Sequence, residues 1–243
     1  MSMKIYRGLV AISFAFLAAK IAVAQGPSES GFFDDYSNLR PAEQDWVSYA
    51  FMADNFREKI AGARALVIPQ PEIFLADDSK YKGMKPDDMA IISDTMRALL
   101  VDEFSDNYQI TNSAGPNTLV IRMGFSNLYL KKKGRMLIGY VPVAFVATTA
   151  KRQLLNDFTD NILLTQAAWE AELLDAETGE VLGQLILELG DRGSKKQFTS
   201  WDELATALQV GAKRFRCRFD NATVPDPDRR DCFEISEADI GAE

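Results

Sequence analysis

The 243-residue chain contains no histidine, and this one absence removes several kinds of chemistry together. Without histidine there is no Ser-His-Asp or Cys-His catalysis, no imidazole metal ligand and no histidine pH switch. The two cysteines, Cys217 and Cys232, form no CxxC pair and cannot build a four-thiolate zinc site by themselves. Glycine-rich phosphate loops of the GxxxxGKS/T and GxGxxG types are absent as well. The sequence therefore predicts no metal site, no cofactor and no catalytic residue.

The chain also lacks a long basic run, which argues against a nucleic-acid partner. Its net charge is −8, and removal of residues 1–24, which carry three basic residues and no acidic one, lowers it to −11. Because neutralisation of phosphates supplies most of the affinity for nucleic acid, an acidic chain of this kind is a poor binder. The hydrophobic content of 47% and the charged content of 26% are ordinary for a folded domain.

Residues 1–24 have the pattern of a cleavable secretory signal peptide. Lys4 and Arg7 provide a positive start, an apolar run follows, and residues 22–24 (Ala-Val-Ala) form an A-x-A cleavage site. A transmembrane anchor is the alternative, but the apolar run is shorter than the ~20 residues that a span needs. No cysteine follows the run, so lipidation is not expected there. We therefore predict export to the periplasm, an oxidising compartment, with no transmembrane segment in the mature chain.

The clearest local pattern is an alternation over residues 167–190. Apolar and acidic side chains fall on opposite faces: Trp169, Ala171 and Leu173 against Glu170, Glu172 and Glu188. Such alternation is typical of strands with one buried side, and the link Asp175–Glu180 has the Asp and Gly of a tight turn. We predict an antiparallel hairpin whose acidic face is solvated; a carboxylate site on that face is the alternative.

Two helices are predicted to cover the apolar face of this sheet. Residues 86–105 carry apolar side chains at helical spacing after a proline suited to a first turn. A final helix follows the capping box of Ser200 and Glu203, with an apolar stripe that runs from Leu204 to Phe219.

Further strands are predicted over residues 64–75, 108–112 and 118–130, and residues 46–51 are expected to form either a short strand or an extended segment. Two prolines within 64–75 place this strand at an edge or break it into two pieces. The strand 118–130 is expected to run antiparallel to its predecessor. The predicted fold is an α+β two-layer sandwich, with a mostly antiparallel sheet of about four to six strands and two helices on one face.

One domain over residues 46–220 is expected between two extensions. Residues 25–45 form an extended lead-in whose apolar side chains dock onto the core: Phe32, Phe33, Tyr36 and Leu39. Residues 221–243 form a C-terminal tail, and a disulfide between Cys217 and Cys232 pins it to the last helix; two free thiols are the alternative. The basic residues near the end of that helix are interpreted as a surface feature favoured by the helix dipole: Lys213, Arg214, Arg216 and Arg218.

The best candidate for a contact surface is a basic cluster followed by an apolar run without charge. The cluster consists of Lys131, Lys132, Lys133 and Arg135, and the run over residues 136–150 includes Leu137, Val141 and Phe145. An exposed apolar patch with basic flanks is suited to an anionic membrane surface or a protein partner. A buried crossover that fills one end of the core is the alternative, since the run is too short to span a bilayer.

A series of short motifs runs along the chain in a fixed order: residues 30–33 (SGFF), 35–39 (DYSNL) with Pro41, 66–69, 72–75, Ser79, Tyr81, Gly83, Pro86, Gly115-Pro116, Leu119, Arg122, Glu170, 172–175, 178–180 and Trp201. With these motifs the chain resembles a family of bacterial exported proteins, often lipoproteins, known only as domain of unknown function 3313. The mature N-terminus of the family typically reads SGFL-x-DYS-x-L-x-P. This chain departs from the pattern because it lacks the lipidation cysteine, so the lipid anchor is not carried over. The resemblance implies a location and a fold, and it brings no established activity.

These observations favour a non-enzymatic binding or scaffold protein that acts with an envelope protein complex or at a membrane surface; its oligomeric state is left open. A carrier of a small apolar ligand is the first alternative. The second is a hydrolase with a carboxylate pair, either Asp34 with Asp35 or Asp77 with Asp78. Carboxylate acid–base catalysis requires one raised pKa, normally obtained by burial. Both pairs lie in polar segments, which argues against the hydrolase.

Overall fold

The computed structural model describes residues 26–42, 47–75, 86–132, 162–188, 201–236 and 238. The α-helices in these ranges are α1 (Phe56–Gly62), α2 (Pro86–Ser105) and α3 (Trp201–Asn221), and a short 3-10 helix spans Asp226–Asp228. The strands are β1 (Arg40–Pro41), β2 (Val47–Met52), β3 (Ala65–Val67), β4 (Glu72–Leu75), β5 (Gln109–Ile110), β6 (Thr118–Lys132), β7 (Ile162–Asp175) and β8 (Val181–Glu188).

All eight strands belong to one mixed sheet in the order β1-β2-β8-β7-β6-β3-β5, with β4 also paired to β6. The β6–β7, β7–β8, β2–β8 and β1–β2 pairs are antiparallel, whereas β3 and β4 run parallel to β6. The α+β class is retained, but the expectation of a mostly antiparallel sheet of four to six strands is wrong. The physical reason is α2, which lies between β4 and β6 in the chain and acts as the crossover that parallel neighbours need.

The segment 64–75 breaks into β3 and β4, as its prolines predicted. Between β3 and β4 the backbone is not paired with β6. Two of its carbonyl oxygens accept hydrogen bonds from side chains of α2 instead: Arg97 Nε donates to Ile68 O and Ser93 Oγ donates to Pro71 O. The strand after α2 pairs differently from expectation, because β5 runs parallel to β3 instead of antiparallel to β6.

The predicted hairpin is confirmed as β7 and β8. Asp175 Oδ1 accepts hydrogen bonds from the backbone N–H groups of Glu177 and Thr178, and Gly179 has a φ of +75°. An Asp that bonds the backbone ahead of it and a glycine at positive φ are the chemistry of a tight reversal. The Nζ of Lys59 lies 2.6 Å from Asp175 Oδ2 and lowers the pKa of this carboxyl to about 2.

The main core lies between one face of the sheet and helices α2 and α3. Its buried side chains include Ile121, Met123, Phe125, Trp169 and Leu173 from β6 and β7, Met96, Leu100 and Phe104 from α2, and Leu204, Leu208, Phe215 and Phe219 from α3. The closest approach is at Gly211, where an added Cβ would lie 2.1 Å from the Trp169 ring. The helical stripes predicted for α2 and α3 therefore face the core as expected.

The opposite face of the sheet is covered by the chain's own lead-in. Phe32, Phe33, Tyr36 and Leu39 are buried there together with Ala168 and Ile186, which confirms the expectation that the lead-in docks. The prediction that the acidic face of the hairpin is solvated is therefore wrong at Glu170 and Glu172, which are 0% and 3% exposed. The lead-in covers these glutamates in place of the solvent that the alternation pattern suggested. It is distant from them in sequence, since Tyr36 and Glu170 are 134 positions apart.

The C-terminal tail is tied to α3 by the predicted disulfide between Cys217 and Cys232, whose Cα atoms are 5.7 Å apart. Arg214 and Arg216 are buried, so their interpretation as a surface feature is wrong. Arg214 donates to the carbonyls of Phe233 and Ile235, and Arg216 donates to the Glu103 carbonyl at the end of α2. Their long side chains close off the core edge instead of facing water. Among the described residues, none of the helices combines the length and apolar character that a bilayer crossing requires.

Candidate functional site

A row of polar side chains crosses the face of the sheet that the lead-in covers. Arg122 on β6 is directly opposite Glu172 on β7, which is directly opposite Gln184 on β8. Because side chains alternate between the two faces of a strand, these three lie on the same face as Glu170. Glu72 on β4 extends the row at its other end. We call Glu72, Arg122, Glu172 and Gln184 the polar row.

The polar row is held together by its own hydrogen bonds. Arg122 Nη1 donates to Glu172 Oε2 at 2.7 Å, and Gln184 Nε2 donates to Glu172 Oε1 at 2.9 Å. Arg122 Nη2 lies 3.2 Å from Glu72 Oε1. Both carboxylate oxygens of the buried Glu172 are thus bonded, which is what a buried charge requires.

Residues 30–39, which we call the strap, lie across this row and bond to it through backbone carbonyls. Arg122 Nη2 donates to Phe32 O at 3.4 Å, and Gln184 Nε2 donates to Asp35 O at 3.3 Å. The Arg122 guanidinium also lies 5.0 Å from the centre of the Phe32 ring, within cation–π range. The row therefore binds the strap at two carbonyls and one aromatic ring.

The strap is also held by a buried tyrosine–carboxyl hydrogen bond. Tyr36 Oη donates to Glu170 Oε2 at 2.7 Å, and burial raises the pKa of this phenol, which keeps it protonated as a donor. The same oxygen accepts from the backbone N–H groups of Ser30 and Phe32 at 3.1 and 3.2 Å. The Tyr36 hydroxyl therefore stabilises the conformation of the strap and joins the strap to the sheet through the hydrogen bond to Glu170.

Gly124 makes room for the strap on β6. An added Cβ there would lie 2.7 Å from Phe32 Cδ2, closer than real Cβ contacts occur. The ring of Phe32 therefore rests on bare backbone between Arg122 and Ser126, and no larger residue at 124 allows this approach without a shift. Within the described residues, Glu170 Oε1 and Ser126 Oγ on this face are buried without a hydrogen-bond partner.

The family model described as "Protein of unknown function (DUF3313)" matches residues 28–215, which include the strap and the whole polar row. The chain belongs to this family. The resemblance drawn from the motifs is confirmed. The curated proteins contain no match to the chain.

Among solved structures, this DUF3313 chain is similar to the crystal structure of a putative neuraminyllactose-binding hemagglutinin homolog from Helicobacter pylori. The identity is 8%, the TM-score is 0.38, and the match covers 68% of this chain and 84% of the other. A second similar structure is a dodecamer of a PelC variant from Paraburkholderia phytofirmans, with 9% identity, a TM-score of 0.30 and coverage of 61% and 79%.

Of the two carboxylate pairs considered from the sequence of this DUF3313 chain, the structure describes only Asp34 with Asp35. Asp34 and Asp35 lie exposed on the strap, and hydrogen bonds from the backbone N–H and hydroxyl of Ser37 lower the pKa of Asp35. A general acid needs the opposite shift. Residues 77 and 78 lie outside the described ranges. Within those ranges, no group of three or more His, Cys, Asp or Glu side chains is arranged to hold a metal ion.

Of the contact surface predicted from the sequence, the structure describes only Lys131 and Lys132. Lys131 and Lys132 are the last residues of β6, where they pair with Leu163 and Ile162 of β7. The other predicted residues lie outside the described ranges: Lys133, Arg135, Leu137, Val141 and Phe145. Lys131 and Lys132 lie at the end of β6, nine and ten positions beyond Arg122 of the polar row.

Sequence reasoning missed the polar row and the Tyr36–Glu170 bond. The signal that could have indicated them is the spacing of aromatic residues in the lead-in, since docked aromatics need a face to cover. The two glutamates of β7 and the Arg122 opposite one of them supply that face. All three belong to the motifs of the family resemblance, but their meeting depends on strand pairing between β6 and β7.

Proposed function

We propose that this protein is an exported, non-enzymatic binding or scaffold protein of the cell envelope. The contact surface in this proposal is the basic cluster of Lys131, Lys132, Lys133 and Arg135 with the apolar run over residues 136–150 that follows it in the sequence. The predicted signal peptide and the Cys217–Cys232 disulfide support export, because disulfides persist in oxidising compartments.

The observation that carries the proposal is the pairing of β6 with β7 beyond the described ends of β4 and β8. The β4 strand pairs with β6 as far as Leu128, and β8 pairs with β7 as far as Ala168. Beyond these points the described part of β6 is paired with β7 alone, over Tyr129 to Lys132. At ~3.3 Å per residue, these four residues and their β7 partners form a ribbon about 13 Å long.

The two strands of this ribbon are still paired at Lys132 and Ile162, so the intervening residues start and end side by side at its tip. Their sequence combines basic residues with an apolar run. The rest of the mature chain is acidic, so attraction to an anionic surface is local to this cluster. Because exposed apolar patches mark interaction sites, the apolar run is the part of this surface that we propose to contact a partner.

In-cell photo-crosslinking tests the proposal, with the probe placed in turn at Leu137, Val141 and Phe145. Reference probes belong at Met52 and Phe233, which are 63% and 44% exposed and lie away from the ribbon. We expect strong adducts to one envelope protein or to lipid from the three tip positions and none from the references. Adducts at the references with none at the tip would refute the contact surface.

A charge-neutral variant provides the matched control. Replacing Lys131, Lys132 and Lys133 by glutamine keeps the length and polarity of the side chains. If the partner is anionic, tip adducts should decrease and become insensitive to salt. Cell fractionation and N-terminal sequencing of the mature protein test export; a start other than Gln25 or a close neighbour would contradict the predicted cleavage.

A further inference from the structure

We propose that the base of the ribbon is a hinge, at which the paired ends of β6 and β7 change direction together relative to the rest of the sheet. The hinge lies between the Ser126–Ala168 pair and the Leu130–Leu164 pair. It is a property of the two described strands and does not depend on whether the tip contacts a partner. The inference therefore goes beyond the function proposed for the tip.

The first part of the hinge is a β-bulge in β6. Between the pairs Ser126–Ala168 and Tyr129–Gln166, β6 advances by three residues while β7 advances by two. The pairing with β4 shows the same extra residue, because β6 again advances by three residues while β4 advances by two. Two neighbouring strands thus place one unmatched residue, Asn127, at this point of β6.

The bulge reverses the alternation of β6. Ser126 lies on the strap side of the sheet, and regular alternation would place Leu128 on the same side. Leu128 instead belongs to the main core on the opposite side, where it is 4% exposed. Because Ser126 and Leu128 are both buried, packing on both faces of the sheet fixes the chain up to the bulge.

The second part of the hinge is a bulge in β7. Between the pairs Tyr129–Gln166 and Leu130–Leu164 the extra residue is on β7, and it is Thr165. The two extra residues compensate, so the ribbon resumes the register that the ladder has before the first bulge. A bulge leaves one residue outside the ladder, bends its strand and increases the local twist. Here the ladder is interrupted on both strands at almost the same level.

The described neighbours of the two strands end at this level as well. The described pairs of β4 with β6 end at Leu128, and those of β8 with β7 end at Ala168. Among the described strands, β6 and β7 beyond this point are paired only with each other. A local change of conformation costs least where contacts are few, and hinges are a few residues that absorb such a change.

The regular pairing beyond the bulges lets the ribbon move as one unit. The twist between paired strands varies over a range of about 25° in ordinary sheets. A change of direction of this size at the base of a ribbon about 13 Å long moves its tip by about 5 Å.

Distances between spin labels test the hinge in the full-length chain. Ketone-bearing unnatural side chains carry the labels, so the Cys217–Cys232 disulfide stays intact. Lys132 in the ribbon is paired in turn with Ala90 on α2 and with Asp34 on the strap, two exposed positions on opposite sides of the sheet. The reference pair is Ala90 with Asp34. We expect both ribbon distances to have distributions wider than the reference by about 5 Å. Equal widths would mean that the ribbon has one fixed direction, which overturns the hinge.

Removal of the two unmatched residues gives the matched variant. Deleting Asn127 and Thr165 together produces a regular ladder and keeps every pair of the ribbon. The excess width should be lost in this variant. It should be retained in Asn127→Ala/Thr165→Ala, which changes the same side chains without shortening either strand. Excess width that survives the deletion would mean that the movement does not originate at the bulges, which overturns the proposal. If the deletion variant does not fold, the comparison within the wild-type chain still decides.

A third label pair separates movement of the whole ribbon from separation of its strands. Lys132 lies directly opposite Ile162, and paired residues of an antiparallel ladder have Cα atoms about 5 Å apart. Labels at these two positions should show strong dipolar broadening in the wild-type chain. Loss of this broadening would mean that the strands come apart instead of moving together, which also overturns the hinge.

Discussion

Substitution of Arg122 by methionine is the most direct test of the polar row. Methionine keeps much of the aliphatic volume but removes the guanidinium from Glu172, a 3% exposed carboxylate that then keeps only the Gln184 hydrogen bond. Removing one partner of a buried ion pair costs about 3–5 kcal/mol. Because Arg122 is 29% exposed and Gln184 remains, the lower end applies, and we expect a loss of about 3 kcal/mol in the free energy of unfolding.

The assay is equilibrium unfolding in urea at pH 7, with near-UV and far-UV signals followed together. Glu172→Gln and the double variant Arg122→Met/Glu172→Gln complete a double-mutant cycle. The double variant should lose less than the sum of the single losses, because no buried charge is left unpaired. Glu72→Gln is the matched control; its half-exposed pair with the same arginine should contribute less than about 1 kcal/mol.

Two results would refute this reasoning. A loss below about 1 kcal/mol for Arg122→Met would mean that Glu172 is hydrated or otherwise paired in the folded chain. Strictly additive losses across the cycle would mean that the two side chains do not interact. A lowered urea m-value would indicate instead that the strap detaches in the native state. More surface would then already be exposed before unfolding, and less would be exposed by it.

Three further predictions concern other parts of the domain. Asp175→Asn keeps the turn acceptor but loses the Lys59 pair. Because the pKa of Asp175 in the folded chain is about 2 against a usual 3.8, up to about 2 kcal/mol of stability should be lost at pH 7, and the difference from wild type should vanish as pH falls from 4 to 2. An equal difference at pH 2 would contradict this prediction. Cys217→Ser, or reduction of the Cys217–Cys232 bond, should lower stability by about 3 kcal/mol, the value for a loop of about 15 residues; an unchanged urea midpoint would count against it. Gly211→Ala should cost at least about 1–3 kcal/mol because the new methyl overlaps a buried indole; a wild-type thermal midpoint would mean that the helix shifts freely.

The sequence correctly predicted the helices, turns and strand breaks whose causes lie within the segment itself. The bounds of α2 agree with the expected 86–105, since its proline and its apolar spacing act within the segment itself. The β7–β8 turn follows from Asp175 and Gly179, and the break between β3 and β4 follows from missing backbone donors. The disulfide was predicted because export leaves two cysteines with no other partner.

Predictions failed where the deciding contact comes from a distant segment. Glu170 and Glu172 have the alternation of a solvated face, and only the docked strap makes that face an interior. The burial of Arg216 depends on the Glu103 carbonyl at the end of another helix. The parallel placement of β3 beside β6 follows from a crossover through α2; the sequence predicted this helix but assigned it only to covering the sheet.

The position of the strap also determines when its aromatic residues can be covered during biosynthesis. Phe32 and Tyr36 leave the ribosome long before Arg122, Glu170 and Gln184, the residues that receive the strap. Contacts over such separations form slowly because a long loop has to close first. Until β8 has been synthesised, the strap has no complete sheet face to dock on, and its aromatic side chains stay exposed. Exposed apolar segments of this kind bind chaperones and promote aggregation. The aromatic side chains of the strap are therefore synthesised early but are buried only after β8 has been synthesised.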